Sequence, residues 1–190
     1  LFENYTLLSL KEHLVDMIDK DLYLDFLDIY SEEEIEEIDS FIDHSKDFTL
    51  SHAQVKKAMD SYLIKDKTQD IIYESVQFMC IRIAMAIASE EENKVEVVKK
   101  LYNYFSNFNL CLPTPIWVNT GTPNKVGTSC LLYSVEDNLG SLGAGDVISY
   151  DMTTDGAGIG SVMFTRSKGA PIDKGRMRHG GKIPYYNLLA

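Results

Sequence analysis

Cys130 stands in Thr128-Ser129-Cys130-Leu131-Leu132, with two hydroxyl side chains before it and an apolar run after it. A thiol beside hydroxyls at the edge of a glycine-rich region is a candidate for redox or nucleophilic chemistry. A lone cysteine is often only a small buried hydrophobe, which is how Cys80 reads in its apolar surroundings, so both roles stay open for Cys130. A second candidate is the set Arg166, Lys168, Lys174, Arg176, Arg178 and Lys182, six cations within 17 residues with Asp173 the only acid among them. Such a loop could hold phosphates, and glycines at 169, 175, 180 and 181 would let backbone N–H groups turn toward the same anion. A solvated loop has the same composition. Gly156-Ala157-Gly158-Ile159-Gly160 invites a dinucleotide-binding reading but fails the fingerprint, because Ser161 occupies the place of the third glycine. The segment indicates close approach of a backbone, side chain or ligand. His13, His44, His52 and His179 are scattered and none pairs with cysteine at ligand spacing, so no metal site is expected. Neither a P-loop nor a GxSxG elbow is present.

The elements that must position these groups divide the chain in two. All 12 glycines lie between Gly121 and Gly181. Glycine serves turns and close approach and weakens helix interiors, so residues 1–120 should be helical and residues 121–190 strands and loops. Charge divides the same way. Residues 1–50 carry 15 acidic and 3 basic side chains, against 6 and 7 in residues 121–190. Ser9 with Glu12, and Ser31 with Glu34, form capping-box pairs. They are followed by Leu10, Leu14, Met17 and Ile18, and by Ile35, Ile38 and Ile42, at helical spacing. The acidic run Glu32 to Glu37 reads as a solvated face near a helix N-terminus. Ser51–Leu63 is predicted as a third helix. Ile71–Ala88, apolar apart from Glu74, Gln77 and Arg82, is predicted as a central buried helix. Lys94–Phe108 is a fifth, with a core stripe of Tyr102, Phe105 and Phe108. Pro113 and Pro115 predict an extended segment over 112–116. Beyond it, Gly127–Tyr133 suits a strand, Asp137–Asp151 a helix and Gly158–Phe164 a second strand, a βαβ-like order.

Composition narrows the function classes. The 190 residues are 45% hydrophobic and 25% charged, which is globular rather than disordered. A net charge of -11 argues against a general nucleic-acid binder. No apolar run approaches the roughly 20 residues that span a bilayer. Three cysteines without a CxxC pair point to a reducing compartment, and a cytoplasmic location is expected. Residue 1 is Leu, which suggests a processed product or a piece of a longer chain.

Six segments, in this order and spacing, resemble the large (α) subunit of class I ribonucleotide reductase: FIDHSKDFTLSHAQVK (41–56), IYESVQFM (72–79), LCLPTPIW (110–117), TSCLLYSVEDNL (128–139), DGAGIGSVM (155–163) and GAPIDKGR (169–176). The similarity covers essentially the whole chain. The resemblance implies an α/β fold: a helical N-terminal domain (1–120), then the first strand-helix-strand unit of a ten-stranded α/β barrel (121–190), left incomplete. The family's ATP-cone would end just before residue 1.

The resemblance also implies roles. Cys130 would be one half of the redox-active cysteine pair that reduces the ribose 2′ carbon of a ribonucleoside diphosphate and is oxidised to a disulfide. Thr114, Ser129 and Gly158 would line the substrate pocket. Asp137, Asn138, Leu139 and Arg166 would belong to the site where a deoxynucleoside triphosphate selects the substrate, with ATP and dNTPs as allosteric regulators. The 137–151 helix would pack against its mate in a homodimer. Partners would be the remainder of the large subunit and the radical-generating small subunit with its metal-radical cofactor. A reductant of thioredoxin or glutaredoxin type would restore the dithiol. No cofactor would be bound by this chain, nor any nucleic acid or membrane. Asp173 departs from the family, which often has Arg there, so Lys174 or Arg176 would take over its contact with effector phosphate. The thiyl-radical cysteine, the second redox cysteine and the shuttle cysteines have no match in the chain, which by itself is expected to be inactive. The alternative is a non-catalytic nucleotide-binding module with an acidic helical domain.

Overall fold

Serine caps set the helices of the first half. In the computed structural model, which describes residues 8–66, 71–124, 127–154, 156–164 and 171, Ser9 and Glu12 close a complete capping box on helix α1 (Leu10–Asp19). After the short α2 (Phe26–Ile29), Ser31 and Glu34 do the same for α3 (Glu32–Ser40). A 3₁₀ turn follows over His44–Thr49, and then α4 (His52–Ser61), boxed by Ser51 and Gln54. Each box satisfies backbone donors that have no partner within the helix. The expected apolar faces are buried: Leu10, Leu14 and Met17 on α1, Ile35 and Ile38 on α3.

The next stretch corrects the expectation of one helix over 71–88. Strand β1 (Lys65–Asp66) pairs antiparallel with β2 (Ile71–Ile72), and only from Val76 does helix α5 (Val76–Ala88) begin. Ser75 caps it, its Oγ accepting from Phe78 N–H at 3.2 Å. Ahead of that cap, Glu74 turns inward, where its carboxylate accepts the Ile64 N–H at 2.9 Å. Helix α5 is buried on nearly every side and packs against α6 (Lys94–Ser106). Of the expected aromatic stripe, Tyr102 and Phe105 are buried, but Phe108 lies past the helix end at φ 55° and is 57% exposed.

The segment 112–116 is a second correction. Pro113 is extended, at φ -60° and ψ 148°, but it caps a helix, α7 (Thr114–Asn119), with Pro115 in the first turn. Proline forfeits nothing there, because first-turn N–H groups have no intrahelical acceptor.

The chain divides between Gly127 and Thr128, a few residues beyond the expected boundary at 120/121. The second unit is a strand-helix-strand element: β3 (Cys130–Glu136), α8 (Leu139–Thr154) and β4 (Gly158–Phe164). The first strand starts three residues later than the predicted Gly127–Tyr133, which makes Cys130 its first residue. The strands are parallel, in register from Cys130↔Gly158 to Glu136↔Phe164. Helix α8 reaches this pair through Gly145, where an added Cβ would lie only 2.9 Å from Val135 Cγ2. No described helix is long and apolar enough to cross a membrane.

The helical core is tied by polar side chains. Tyr23 Oη donates its proton to Glu74 Oε2 at 2.6 Å, so in the 3.0 Å contact between His13 Nε2 and Tyr23 Oη a neutral imidazole N–H donates to the tyrosine oxygen. The His13 ring stacks on Phe78, with centroids 4.0 Å apart. Burial, which disfavours the charged ring, lowers the His13 pKa to about 4 against the pull of Glu74 and Asp16. Below pH 6.5 the unfolded chain takes up a proton that the native state refuses until about pH 4, so stability is present above 6.5 and lost as pH falls. The loss should total roughly 3 kcal/mol. Urea midpoints of the wild type between pH 7 and 4 should carry this slope, and His13→Asn should lack it.

Candidate functional site

Cys130 is exposed, and its sulfur lies 3.9 Å from Ser129 Oγ. The register sets Gly158 of β4 beside it, and a Cβ built on Gly158 would sit 3.4 Å from Cys130 Sγ. Gly158 N–H donates to Ser129 O at 2.9 Å, so one backbone bond clamps the residue before the thiol to the glycine next to it. Three of the candidates, Ser129, Cys130 and Gly158, thus come together at one end of the parallel pair. The bare glycine leaves one side of the sulfur open.

Side chains alternate along a strand. Cys130 therefore shares a face with Leu132, Ser134 and Glu136, paired with Gly158, Gly160, Val162 and Phe164. The opposite face carries Tyr133 and Val135 and is covered by α8, where Tyr133 Oη donates to Gly145 O at 3.0 Å. Among the described residues no helix covers the thiol face, where Leu132 is 82% exposed and Phe164 64%.

Asp137, Asn138 and Leu139 lie at the other end of β3, where the chain turns into α8. Asn138 Oδ1 accepts from Ser141 N–H at 2.8 Å, and its backbone carbonyl accepts from Leu142 N–H at 3.0 Å, the pattern of an N-cap. Ser141 Oγ accepts in turn from Glu136 N–H at 2.9 Å. Asn138→Ala should destabilise α8 by about 1 kcal/mol, read as a lowered thermal midpoint, and Asn138→Asp should restore most of it. Leu139, at the head of α8, is 86% exposed. Arg166, Asp173, Lys174 and Arg176 lie outside the described residues.

Thr114 belongs to the helical unit. It is the exposed first residue of α7, whose other end is gripped by Arg82. The fully buried guanidinium donates from Nη2 to Trp117 O at 2.9 Å and from Nη1 to Thr120 O. It also pairs with Glu74 through Nε at 3.1 Å and Nη2 at 3.0 Å. Sequence reasoning noted Glu74, Gln77 and Arg82 only as interruptions of an apolar stretch. All three are buried network residues, Gln77 donating to Asp47 at 2.9 Å and accepting from Tyr102 Oη at 2.8 Å. Polar groups inside an apolar helical run were the available signal. Burial pushes the Cys80 thiol up, which leaves it inert, and Cys111 is exposed near the start of α7. Among the described residues, no group of three or more His, Cys, Asp or Glu is arranged to hold a metal ion.

The helical unit and the strand unit that continues it both have known relatives. The family model described as "Ribonucleotide reductase, all-alpha domain" matches residues 48–125. The ribonucleoside-diphosphate reductase 1 subunit alpha of Escherichia coli (strain K12) is 36% identical over 182 residues, which is 94% of this chain and 24% of that protein. The subunit alpha of Haemophilus influenzae is 35% identical over 86% of the chain and 22% of its own length. That of Enterobacteria phage T4 is 33% identical over 85% of the chain and 22% of its own length. The chain thus spans about a quarter of the length of these relatives. With the all-alpha domain matched and the likeness running on through the Cys130 strand unit, the chain belongs to the ribonucleotide reductase large-subunit family.

Proposed function

We propose that the chain serves, as part of a complete large subunit, in the reduction of ribonucleoside diphosphates to deoxyribonucleoside diphosphates for DNA synthesis. The observation that carries this reading is the exposed Cys130 thiol held beside Gly158 at one end of the parallel strand pair. In the proposed reaction a thiyl radical activates the ribose. The 2′-hydroxyl leaves as water, and two thiols supply two electrons and two protons as they close to a disulfide. Cys130 is one of those thiols. Ser129 and Gly158, next to it, contact the substrate, and Thr114 is a substrate contact on the family resemblance. Gly158, lacking a side chain, admits a sugar or phosphate close to the strand.

The parallel pair of β3 and β4, with α8 between them in sequence, suits the first unit of a ten-stranded barrel in the complete subunit. Asp137, Asn138 and Leu139, with Arg166, form the effector site for a deoxynucleoside triphosphate. Helix α8, which exposes Leu139, Val147 and Tyr150, meets its counterpart in a homodimer. The small subunit supplies the radical from its metal centre, and a thioredoxin- or glutaredoxin-type dithiol in the cytoplasm reopens the disulfide. The test is turnover by the complete large subunit carrying this chain, mixed with the small subunit and a thiol reductant. Deoxyribonucleoside diphosphate should form, and its absence with all components present would refute the reading.

A further inference from the structure

We propose that Arg82 is a positioning residue for substrate contact: from the core of the helical unit it sets the tilt of α7 and so the place of the Thr114 hydroxyl. The inference rests on the reading of Thr114 as a substrate contact and adds the device that aims it. Helix α7 has six residues, about 9 Å of helix and less than two turns. Just ahead of its leading end, Leu112 packs against the core. Pro113 makes no side-chain cap bond and Thr114 is exposed.

Its trailing end is held by a great deal. Trp117 is buried, edge-on to the Phe105 ring with centroids 5.7 Å apart. The carbonyls of Trp117 and Thr120 are among those a helix end leaves without internal donors, and both are taken by the one guanidinium. That guanidinium cannot swing. Its Nε and Nη2 are engaged by the two oxygens of Glu74, which in turn accepts from Tyr23 Oη at 2.6 Å and Ile64 N–H at 2.9 Å. A planar fork bonded on both sides fixes a direction as well as a distance. Thr114 is one turn ahead of Trp117, so a tilt at the anchored end is carried to its hydroxyl. Displacements of about 1 Å matter in a reacting site.

The experiment uses the complete large subunit with the small subunit, and measures KM for the ribonucleoside diphosphate, kcat, dNTP binding and thermal midpoint. Arg82→Lys keeps the charge and loses the fork; Glu74→Gln keeps the shape and loosens the grip. Both should raise KM by about ten-fold with kcat and dNTP binding within about two-fold. Thr114→Val should raise KM similarly, and adding Arg82→Lys to it should raise KM little further, since both act on one contact. A lower midpoint with wild-type KM in Arg82→Lys and Glu74→Gln, while Thr114→Val raises KM, would show a purely structural role and overturn the proposal. Unchanged KM in Thr114→Val would remove the substrate reading of that residue and the positioning role with it. Should Arg82→Lys fail to fold, Glu74→Gln decides by the same criterion.

Discussion

Cys130→Ser should abolish turnover by the assembled reductase, to less than about a thousandth of the wild-type rate, while dNTP binding stays within about two-fold. Serine is close in shape to cysteine, and the position is exposed with a glycine beside it, so the fold should accept the change. What is lost is chemical. A hydroxyl cannot form the disulfide that closes the two-electron step, and no neighbour in the strand unit can stand in for it, since Cys130 is its only cysteine. Effector binding should survive because Cys130 opens β3 and Asp137 follows its last residue. Seven residues of extended chain separate the two ends by roughly 20 Å. Cys111→Ser, at the other exposed thiol, should leave the rate unchanged. The assay is deoxyribonucleotide formation with a dithiol reductant, beside equilibrium dNTP binding. Full activity in the serine variant would leave only a nucleotide-binding role for this chain.

Local signals in the sequence were legible, and long-range pairings were not. The capping boxes at Ser9 and Ser31 specify helix starts to the residue, because cap and third helical position satisfy each other's donors within four residues. The bounds of β4 could also be read, from a short run that opens on glycines and ends in Val162, Met163 and Phe164 before a polar stretch. The prolines at 113 and 115 were ambiguous: the preference of residues before proline for extended backbone and the tolerance of proline in a first helical turn point opposite ways, and the seat for Trp117 in the core decides for the helix. The start of β3 at Cys130 rather than Gly127 follows from pairing with β4, a partner 28 positions on that periodicity cannot reveal. The same holds for Glu74 and Arg82. Their types stood out against the apolar run, but their partners at Tyr23, Trp117 and Thr120 come from elsewhere in the chain. For the candidate site, Cys130, Ser129 and Gly158 were singled out by residue type and family resemblance, and the parallel register is what brings them together.

Gly121→Ala should destabilise the helical unit by about 3 kcal/mol, a large share of the 5–15 kcal/mol that holds a typical domain folded. Two penalties add. Gly121 has φ +80°, a region that costs a residue with a Cβ about 1 kcal/mol or more. The new Cβ would also lie 2.7 Å from Arg82 Cγ, 3.0 Å from Arg82 O and 3.1 Å from Phe26 Cζ. None of these can retreat cheaply. The Arg82 backbone belongs to α5, its side chain is held by Glu74 and two carbonyls, and Phe26 is fully buried. Overpacking against such a wall adds a further 1–3 kcal/mol. The chain at 121 cannot move aside either, because Gly121 O accepts from Leu24 N–H at 3.0 Å. Gly127→Ala is the matched control. Among the described residues its Cβ would meet only Ile116 Cδ1, at an ordinary 3.8 Å, and its effect should stay within about 0.5 kcal/mol. Urea unfolding of both variants separates the cases. Equal midpoints would mean that the Arg82 anchor yields under load, and the rigidity that lets it aim α7 would be gone with it.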